Sequence, residues 1–406
     1  MFRGKRCALA SGARSDTDIH APLATEPLAE DAIEAFLAGL TAVDPTVLVR
    51  LAVRQGHLDD WLGDRDRPRQ LHVLALGKAA PRMLWGLVEC SVPFKGLGVA
   101  PRGIHAPMVD TFRWMPGDHP VPGSASFAAG RAVLAWADAL PPDAHVLVLL
   151  SGGASAAAEA PAPGHTDDDL ARLHRELVRS GLRISEMNAR RAAASALKGG
   201  KLAARIHART PHLRVWLLAD TAPDEAPAVV GSGPCFAPGV EHRVLASNDQ
   251  MVAAAALRLA AKGYSVFRHG KRIDGPAAAE VASFLNAFHG LPGPQVALVG
   301  GGEATVAVPE GAPPGGRCHH AALTAASNLA PGEAFVALAS DGMDGATGAA
   351  GAWTVAADAG ASAQDALARF DAATFLAARG RSVTTGATGT NANDLWIALR
   401  GAAPVT

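Results

Sequence analysis

The chain reads as an α/β protein in two domains, and three observations predict this. Short apolar runs recur along its 406 residues, each ending in a loop of glycine, lysine, serine or aspartate. Alanine-rich stretches with helical spacing separate them. The length exceeds what one ordinary core organises, which favours a second domain. The runs are Leu71–Leu76, His145–Leu150, Arg214–Ala219, Gln295–Val299 and Phe335–Ser340. Unbroken apolar runs without polar alternation fit strands covered on both faces, the situation of a parallel sheet. Helical patterns fall at Asp31–Ala42, Ser126–Ala139, Asp167–Arg179 and Asn248–Lys262, so strand, loop and helix alternate as α/β folds require.

The helix- and strand-breaking segment His289–Pro294 predicts the boundary between a first domain, residues 26–288, and a second, residues 295–406. Pro309–Gly316 reads as a surface loop within the second. Residues 1–25 read as a mobile extension: basic and small-residue-rich, with an apolar stretch too short for a secretory signal.

Composition narrows the function. The chain is 49% hydrophobic and 18% charged with a formal net charge of −1, which offers no electrostatic case for nucleic acid or an anionic membrane. No stretch reaches the roughly 18 apolar residues of a membrane span. The four cysteines, Cys7, Cys90, Cys235 and Cys318, form no CxxC pair, so a reducing cytoplasm is expected and a structural zinc site is not. A small-molecule substrate is expected, and a monomer and a homodimer fit equally.

Loops at strand ends are where α/β sheets bind ligands. After Leu76 comes Gly77-Lys78-Ala79-Ala80-Pro81, a lysine aimed at whatever the loop binds, plausibly a phosphate. An isolated Gly-Lys pair is more often a solvated lysine. A Walker A loop is absent, since His72 stands where that motif needs glycine, and no complete GxGxxG follows a strand. Ser151-Gly152-Gly153-Ala154-Ser155 has the composition of an anion-binding nest. Lys198-Gly199-Gly200-Lys201, preceded by Asn188, Arg190 and Arg191, adds positive charge, although an exposed basic helix capped by glycine is the commoner outcome. Asp220 and Asp341 directly follow apolar runs, where a carboxylate can take a proton or hold Mg²⁺. Asp224 and Asp344 are as well explained as caps. Cys318-His319-His320 lacks metal-ligand spacing and reads as structural.

Taken in order, these segments resemble the glycerate 2-kinase family, whose second domain is called MOFRL. The resemblance runs from about Glu30 to Leu399. It is carried by Gly77-Lys78-Ala79-Ala80, Gly117-Asp118-His119-Pro120-Val121-Pro122, Ser151-Gly152-Gly153, Asn188 through Lys198-Gly199-Gly200 and Ser232-Gly233-Pro234. In the second half it is carried by Gly302-Glu303, Gly315-Gly316-Arg317, Ser340-Asp341-Gly342-Met343-Asp344-Gly345 and Thr385 through Leu395.

The resemblance implies an N-terminal Rossmann-like sheet with helices on both faces, a smaller C-terminal MOFRL-type α/β domain, and an active site in the cleft between them. It implies transfer of the ATP γ-phosphoryl to the 2-hydroxyl of D-glycerate, with Mg²⁺. Lys78 and Arg317 would then neutralise charge, Asp220 would act as base, and Asp341 would sit at the metal and phosphates, with Asp220 a second metal candidate. Ser151, Gly152, Gly153, Ser155, Lys198, Gly199, Gly200, Gly302, Glu303 and Asn391 would line the nucleotide and loop walls. The chain departs from the family where Ala192, Ala193 and Ala194 replace Lys-His-Leu, and where Cys318, His319 and His320 replace Asn-Gln-Glu. Losing these polar groups predicts an altered acceptor, with a kinase for a larger hydroxy acid or a kinase-fold sensor as the alternatives and a hydroxypyruvate reductase as a weaker one.

Overall fold

The computed structural model describes residues 26–63, 69–179, 182, 184–219, 225–309 and 311–401. The N-terminal extension expected over residues 1–25, and Asp220 and Asp224, lie outside the described residues.

Each of the apolar runs forms a strand. The first sheet contains β1 (Leu71–Leu76), β2 (Phe94–Pro101), β3 (Phe112–Gly117), β4 (Val146–Leu150), β5 (Leu213–Leu218) and β6 (Glu241–Ala246). Its order is β3-β2-β1-β4-β5-β6, with every neighbouring pair parallel. β4 is buried at every position because helices cover both faces. On one side Leu147 and Leu149 join Met83 and Leu84 of the helix Ala80–Glu89. On the other, Val146 and Val148 join Val133 and Ile206 from the helices Ser124–Asp138 and Lys201–His207. From β1 the order runs outward through β2 on one side and through β4 on the other. The ends of β1 and β4 therefore flank the topological switch point, where a crevice opens.

The second sheet contains β7 (Ser265–Arg268), β8 (Val296–Gly302), β9 (Glu333–Ala339), β10 (Gly351–Val355), β11 (Ser382–Val383) and β12 (Asp394–Arg400), in the order β11-β10-β9-β12-β8-β7. Only β7 and β8 pair in parallel; β12 runs antiparallel to both β8 and β9. The parallel arrangement expected from the runs at 295–299 and 335–340 therefore does not hold here. The runs are unbroken because both faces are covered, whatever the strand direction. Ala297 and Val299 pack with Phe36 and Met251, while Val296 and Leu298 pack with Phe284 and Ala322.

The expected boundary at His289–Pro294 falls inside the part of the chain that builds the second sheet. β7 belongs to the second sheet, so the chain leaves the first sheet between β6 and β7. His289–Pro294 is the turn between the helix Ala277–His289 and β8, inside the second layer. The N-terminal helix Pro27–Ala42 packs there too, placing Ile33 and Phe36 in one core with Val336 and Ile397. Pattern reading missed this because helix-to-helix packing across two hundred residues leaves no local signal.

Candidate active site

The loops after β1 and β4 are locked together. Lys78 N–H donates to Gly152 O at 2.9 Å, and Ser151 N–H donates to Leu76 O at 3.0 Å. Gly77 has φ of +113°, and a Cβ there would stand 2.5 Å from both Ser151 O and Ser151 Oγ, so only glycine permits the contact. Ser151 is fully buried and its Oγ accepts from Ala79 N–H at 3.0 Å, at the start of the helix Ala80–Glu89. Ser151 thus spends its N–H and hydroxyl on holding the two loops together, and Gly152 lends its carbonyl to the same lock. Gly153 is left-handed, and a Cβ on it would lie 2.9 Å from Lys78 Cγ. Its bare backbone gives the lysine stem a path across the cleft.

Lys78 ends on the second sheet. Its Nζ lies 3.4 Å from Oδ2 of Asp341, which follows β9. Asp341 Oδ1 accepts from Met343 N–H at 3.0 Å. The segment 385–393 braces this aspartate. Ala392 N–H donates to Ser340 Oγ at 2.7 Å and Thr388 N–H to Asp341 O at 3.3 Å. Thr390 Oγ1 donates to Val43 O at 3.1 Å, tying the brace to the end of the helix Pro27–Ala42. Asn391 lies half-buried within the brace.

His119 borders the same cleft. The residue is exposed overall, but its ring stands against the Gly153 loop, where a Cβ on Gly153 would lie 3.5 Å from His119 Cδ2. That burial, together with the Lys78 ammonium, pushes the imidazole down to about 4 against the pull of Asp341. Its motif was visible in the sequence, its place beside Lys78 was not.

Arg317 is differently placed. At the first position of the helix Arg317–Ala326, its Nε and Nη2 fork onto Asp394 at 2.6 and 2.8 Å, and Nη1 meets Glu303 at 3.1 Å. Asp394 is buried, and that burial pushes its carboxyl up to about 7 against the pull of the guanidinium. Burial opposes the charge on Arg317, but Asp394 and Glu303 more than compensate and raise its pKa. With two carboxylates on it, Arg317 supplies no net positive charge in this conformation; it pins β8, β12 and the helix start together. Gly302 N-terminal to Glu303 packs on the Ile273 segment, and Glu303 N–H donates to Ile273 O at 2.6 Å. Neither Gly302 nor Glu303 reaches Lys78 through any described contact.

Lys198 also departs from expectation. It is 1% exposed and its Nζ is bonded to Glu159, itself fully buried. Glu159 also accepts from Ser195 Oγ at 2.6 Å, Ala160 N–H at 3.0 Å and His174 Nε2 at 3.0 Å. Burial pulls the Lys198 ammonium down, opposed by Glu159. The N–H groups of Gly199 and Gly200 are spent on Ser232 O and Gly233 O. This turn is an internal support, not an anion cradle. Sequence reading missed Glu159, although a lone carboxylate in the alanine-rich stretch 156–162 was the available signal.

Ser155 is half-buried in the short turn after Gly153. Its Oγ lies 2.9 Å from Ser232 Oγ, which donates to Asn188 Oδ1 at 2.9 Å. Asp344, by contrast, is a cap: fully buried, it accepts from Cys318 N–H and His319 N–H at 2.9 Å each and pairs with His319 Nδ1 at 2.7 Å. His319 is thereby fixed between Asp344 and Ser382, and His320 stacks on Phe370.

Two α/β sheets meet at a cleft where Lys78, from the loop after β1, reaches Asp341, after β9. Residues 31–261 match the family described as a domain of unknown function, DUF4147, and residues 296–394 match the MOFRL family. The chain is 29% identical to the D-glycerate 2-kinase of Thermotoga maritima, over 92% of this chain and 99% of that protein. It is 31% identical to an Agrobacterium vitis protein carrying a hydroxypyruvate reductase name, over 81% of this chain and 99% of that one. The crystal structure of glycerate kinase from Thermotoga maritima superposes with a TM-score of 0.78 at 27% identity, covering 92% of this chain and 99% of that chain. The chain belongs to the glycerate kinase family, kinases that act on a hydroxyl group.

Proposed function

We propose that the protein transfers the γ-phosphoryl group of ATP to the 2-hydroxyl of D-glycerate or a related small hydroxy acid. The observation that carries this reading is the meeting of Lys78, at the switch point of the first sheet, with Asp341 of the second, 3.4 Å apart. Phosphoryl transfer asks for positioning and charge neutralisation more than for covalent chemistry. Lys78 is a half-buried cation whose described partner, Asp341, is itself only partly buried. It supplies the charge that the migrating phosphoryl group needs. The acceptor oxygen forms its bond to phosphorus as the bond to the ADP oxygen breaks, and the hydroxyl proton passes to a carboxylate base. Asp220, directly after Ala219, is assigned that role.

Mg²⁺ bound with a nucleotide keeps waters and phosphate oxygens and needs only one or two carboxylates. Asp341 offers one. Among the described residues no group of three or more His, Cys, Asp or Glu is placed to hold a metal ion. When bound it would neutralise charge between the β- and γ-phosphates.

ADP release coupled to D-glycerate, ATP and Mg²⁺ tests the proposal. No ADP above the background ATPase rate across a panel of small hydroxy acids refutes it; nucleotide binding without transfer would point to a sensor. NADH consumption with hydroxypyruvate would instead support the reductase name borne by the Agrobacterium vitis relative.

A further inference from the structure

Among the described residues the chain passes between the two layers twice. It leaves the second layer at Val43–Asp44, between the helix Pro27–Ala42, which packs on the second sheet, and the helix Pro45–Arg54, which packs on the helix Ala80–Glu89 of the first. It returns at Ser247–Asn248, between β6 and the helix Asn248–Ala261, which packs on β8. Both crossings are bonded to the brace that holds Asp341. Thr390 Oγ1 donates to Val43 O, and Asn248 Nδ2 donates to Ala392 O at 2.7 Å and to Asp394 O at 3.1 Å. The brace is therefore a fixed point between the layers.

Arg82 ties the Lys78 side of the cleft to the same brace. It lies in the first turn of the helix Ala80–Glu89, which directly follows the Lys78 loop. Its stem crosses to Gly389, in the middle of the brace, where a Cβ would overlap Arg82 Cδ and stand 3.1 Å from Cγ. Glycine leaves that room, and it also accepts the φ of +74° found there. Beyond the stem, Arg82 Nη2 donates to Asp44 Oδ2 at the first crossing. Asp44 Oδ1 in turn accepts from Thr46 N–H at 2.8 Å and Val47 N–H at 3.2 Å, and Thr46 Oγ1 donates to Arg82 O at 2.9 Å. Arg82 Nε is enclosed with no hydrogen-bond partner. An enclosed donor left unpaired is costly, so packing on Gly389 and the bond to Asp44 hold the side chain in place.

We propose that Arg82 is a positioning residue for phosphoryl transfer: it seats the helix behind Lys78 on the brace behind Asp341. This rests on the kinase reading and deepens it. Phosphates and their cation compete for both Lys78 and Asp341, so the 3.4 Å contact between the two opens when substrate enters. The contact of Arg82 with Gly389, made one helical turn further along, does not involve the reacting groups. It keeps the lysine and the carboxylate in register while their own pairing is broken.

The test is steady-state kinetics and thermal unfolding of the full-length chain carrying Arg82→Ala, Arg82→Lys, Gly389→Ala, or Arg82→Ala together with Gly389→Ala. Arg82→Ala should lower kcat for ADP release with D-glycerate about 10- to 100-fold, the loss that a small misplacement of reacting groups produces, with KM for ATP and D-glycerate little changed. Arg82→Lys, which keeps a stem and a charge for Asp44, should recover part of that loss. Gly389→Ala should slow the wild type in the same way, because its Cβ displaces the stem, but should slow Arg82→Ala little further. Wild-type kcat in Arg82→Ala, a loss confined to KM or to Tm, or losses that multiply in the double variant overturn the proposal. If Gly389→Ala does not fold, the two Arg82 variants decide the matter through the split between kcat and KM. A wild type that releases no ADP sinks the kinase reading instead. The seat is then read from Tm, which Gly389→Ala should lower less in the Arg82→Ala background than in the wild type; equal losses would overturn it.

Discussion

Lys78→Ala separates stability from catalysis. Nζ of Lys78 and Oδ2 of Asp341 are 3.4 Å apart, which in an effective dielectric of about 20 corresponds to a gross attraction of about 5 kcal/mol. Their side chains keep 29% and 19% of their exposure. Solvent screening and the entropy of ordering a long lysine therefore reduce the net contribution to about 1 kcal/mol or less. The Tm should fall by a few degrees at most. Catalysis depends on the same charge quite differently. A preorganised charge placed where negative charge develops contributes about 10²- to 10³-fold to kcat. An interaction made only in the transition state lowers kcat and kcat/KM equally. The variant should therefore be nearly as stable as wild type and 100- to 1000-fold slower, with KM for ATP and acceptor little changed. Steady-state kinetics beside thermal unfolding measure both quantities. A raised KM with kcat intact would make Lys78 a binding residue, and a large loss of Tm would make the contact a structural strut; either refutes the reasoning.

Gly77→Ala should destabilise the protein by about 3 kcal/mol or more, because its φ of +113° and two 2.5 Å contacts to Ser151 leave no room for a Cβ; a wild-type urea midpoint would contradict this. Asp394→Ala should cost about 3–5 kcal/mol by leaving Arg317 short of its buried partner. Glu303→Gln, on the exposed side of the same arginine, should cost about 1 kcal/mol or less, so equal losses in chemical unfolding would mean that the two carboxylates are interchangeable. Burial holds His72, His119, His145, His174, His242, His269 and His320 below the ordinary imidazole value. From these histidines the unfolded chain binds more protons than the folded one below pH 6.5. Asp394, pushed up to about 7, opposes them with a single proton held in the folded state. Stability should therefore on balance fall as pH drops from about 6.5 toward 4, the value to which His119 is pushed. A urea midpoint that stays flat or rises over that range would refute it.

The sequence by itself determined the strands and the loop that carries the chemistry. Runs such as Leu71–Leu76 and Val146–Leu150 are apolar at nearly every position, and burial on both faces selects that pattern locally. The glycines after them mark where the backbone must turn or be approached closely, so Lys78 and Asp341 were legible as strand-end residues. Their partnership was not, because 263 positions separate them along the chain.

Only the tertiary structure decided the direction of β12 against β8 and β9, since a strand covered on both faces carries no mark of its neighbour's direction. It alone showed that β7 and the helix Pro27–Ala42 belong to the second layer. It also sorted the cations. Lys78, Lys198, Arg191 and Arg317 look alike as charges beside glycines or helix ends. Their roles differ because Lys198 faces Glu159, Arg317 faces Asp394 and Glu303, Lys78 reaches across to Asp341, and Arg191 donates to the amide oxygen of Asn188. The energy of a charge is set by what surrounds it in space, and the burial and the counter-ions that set it come from residues far away in the sequence.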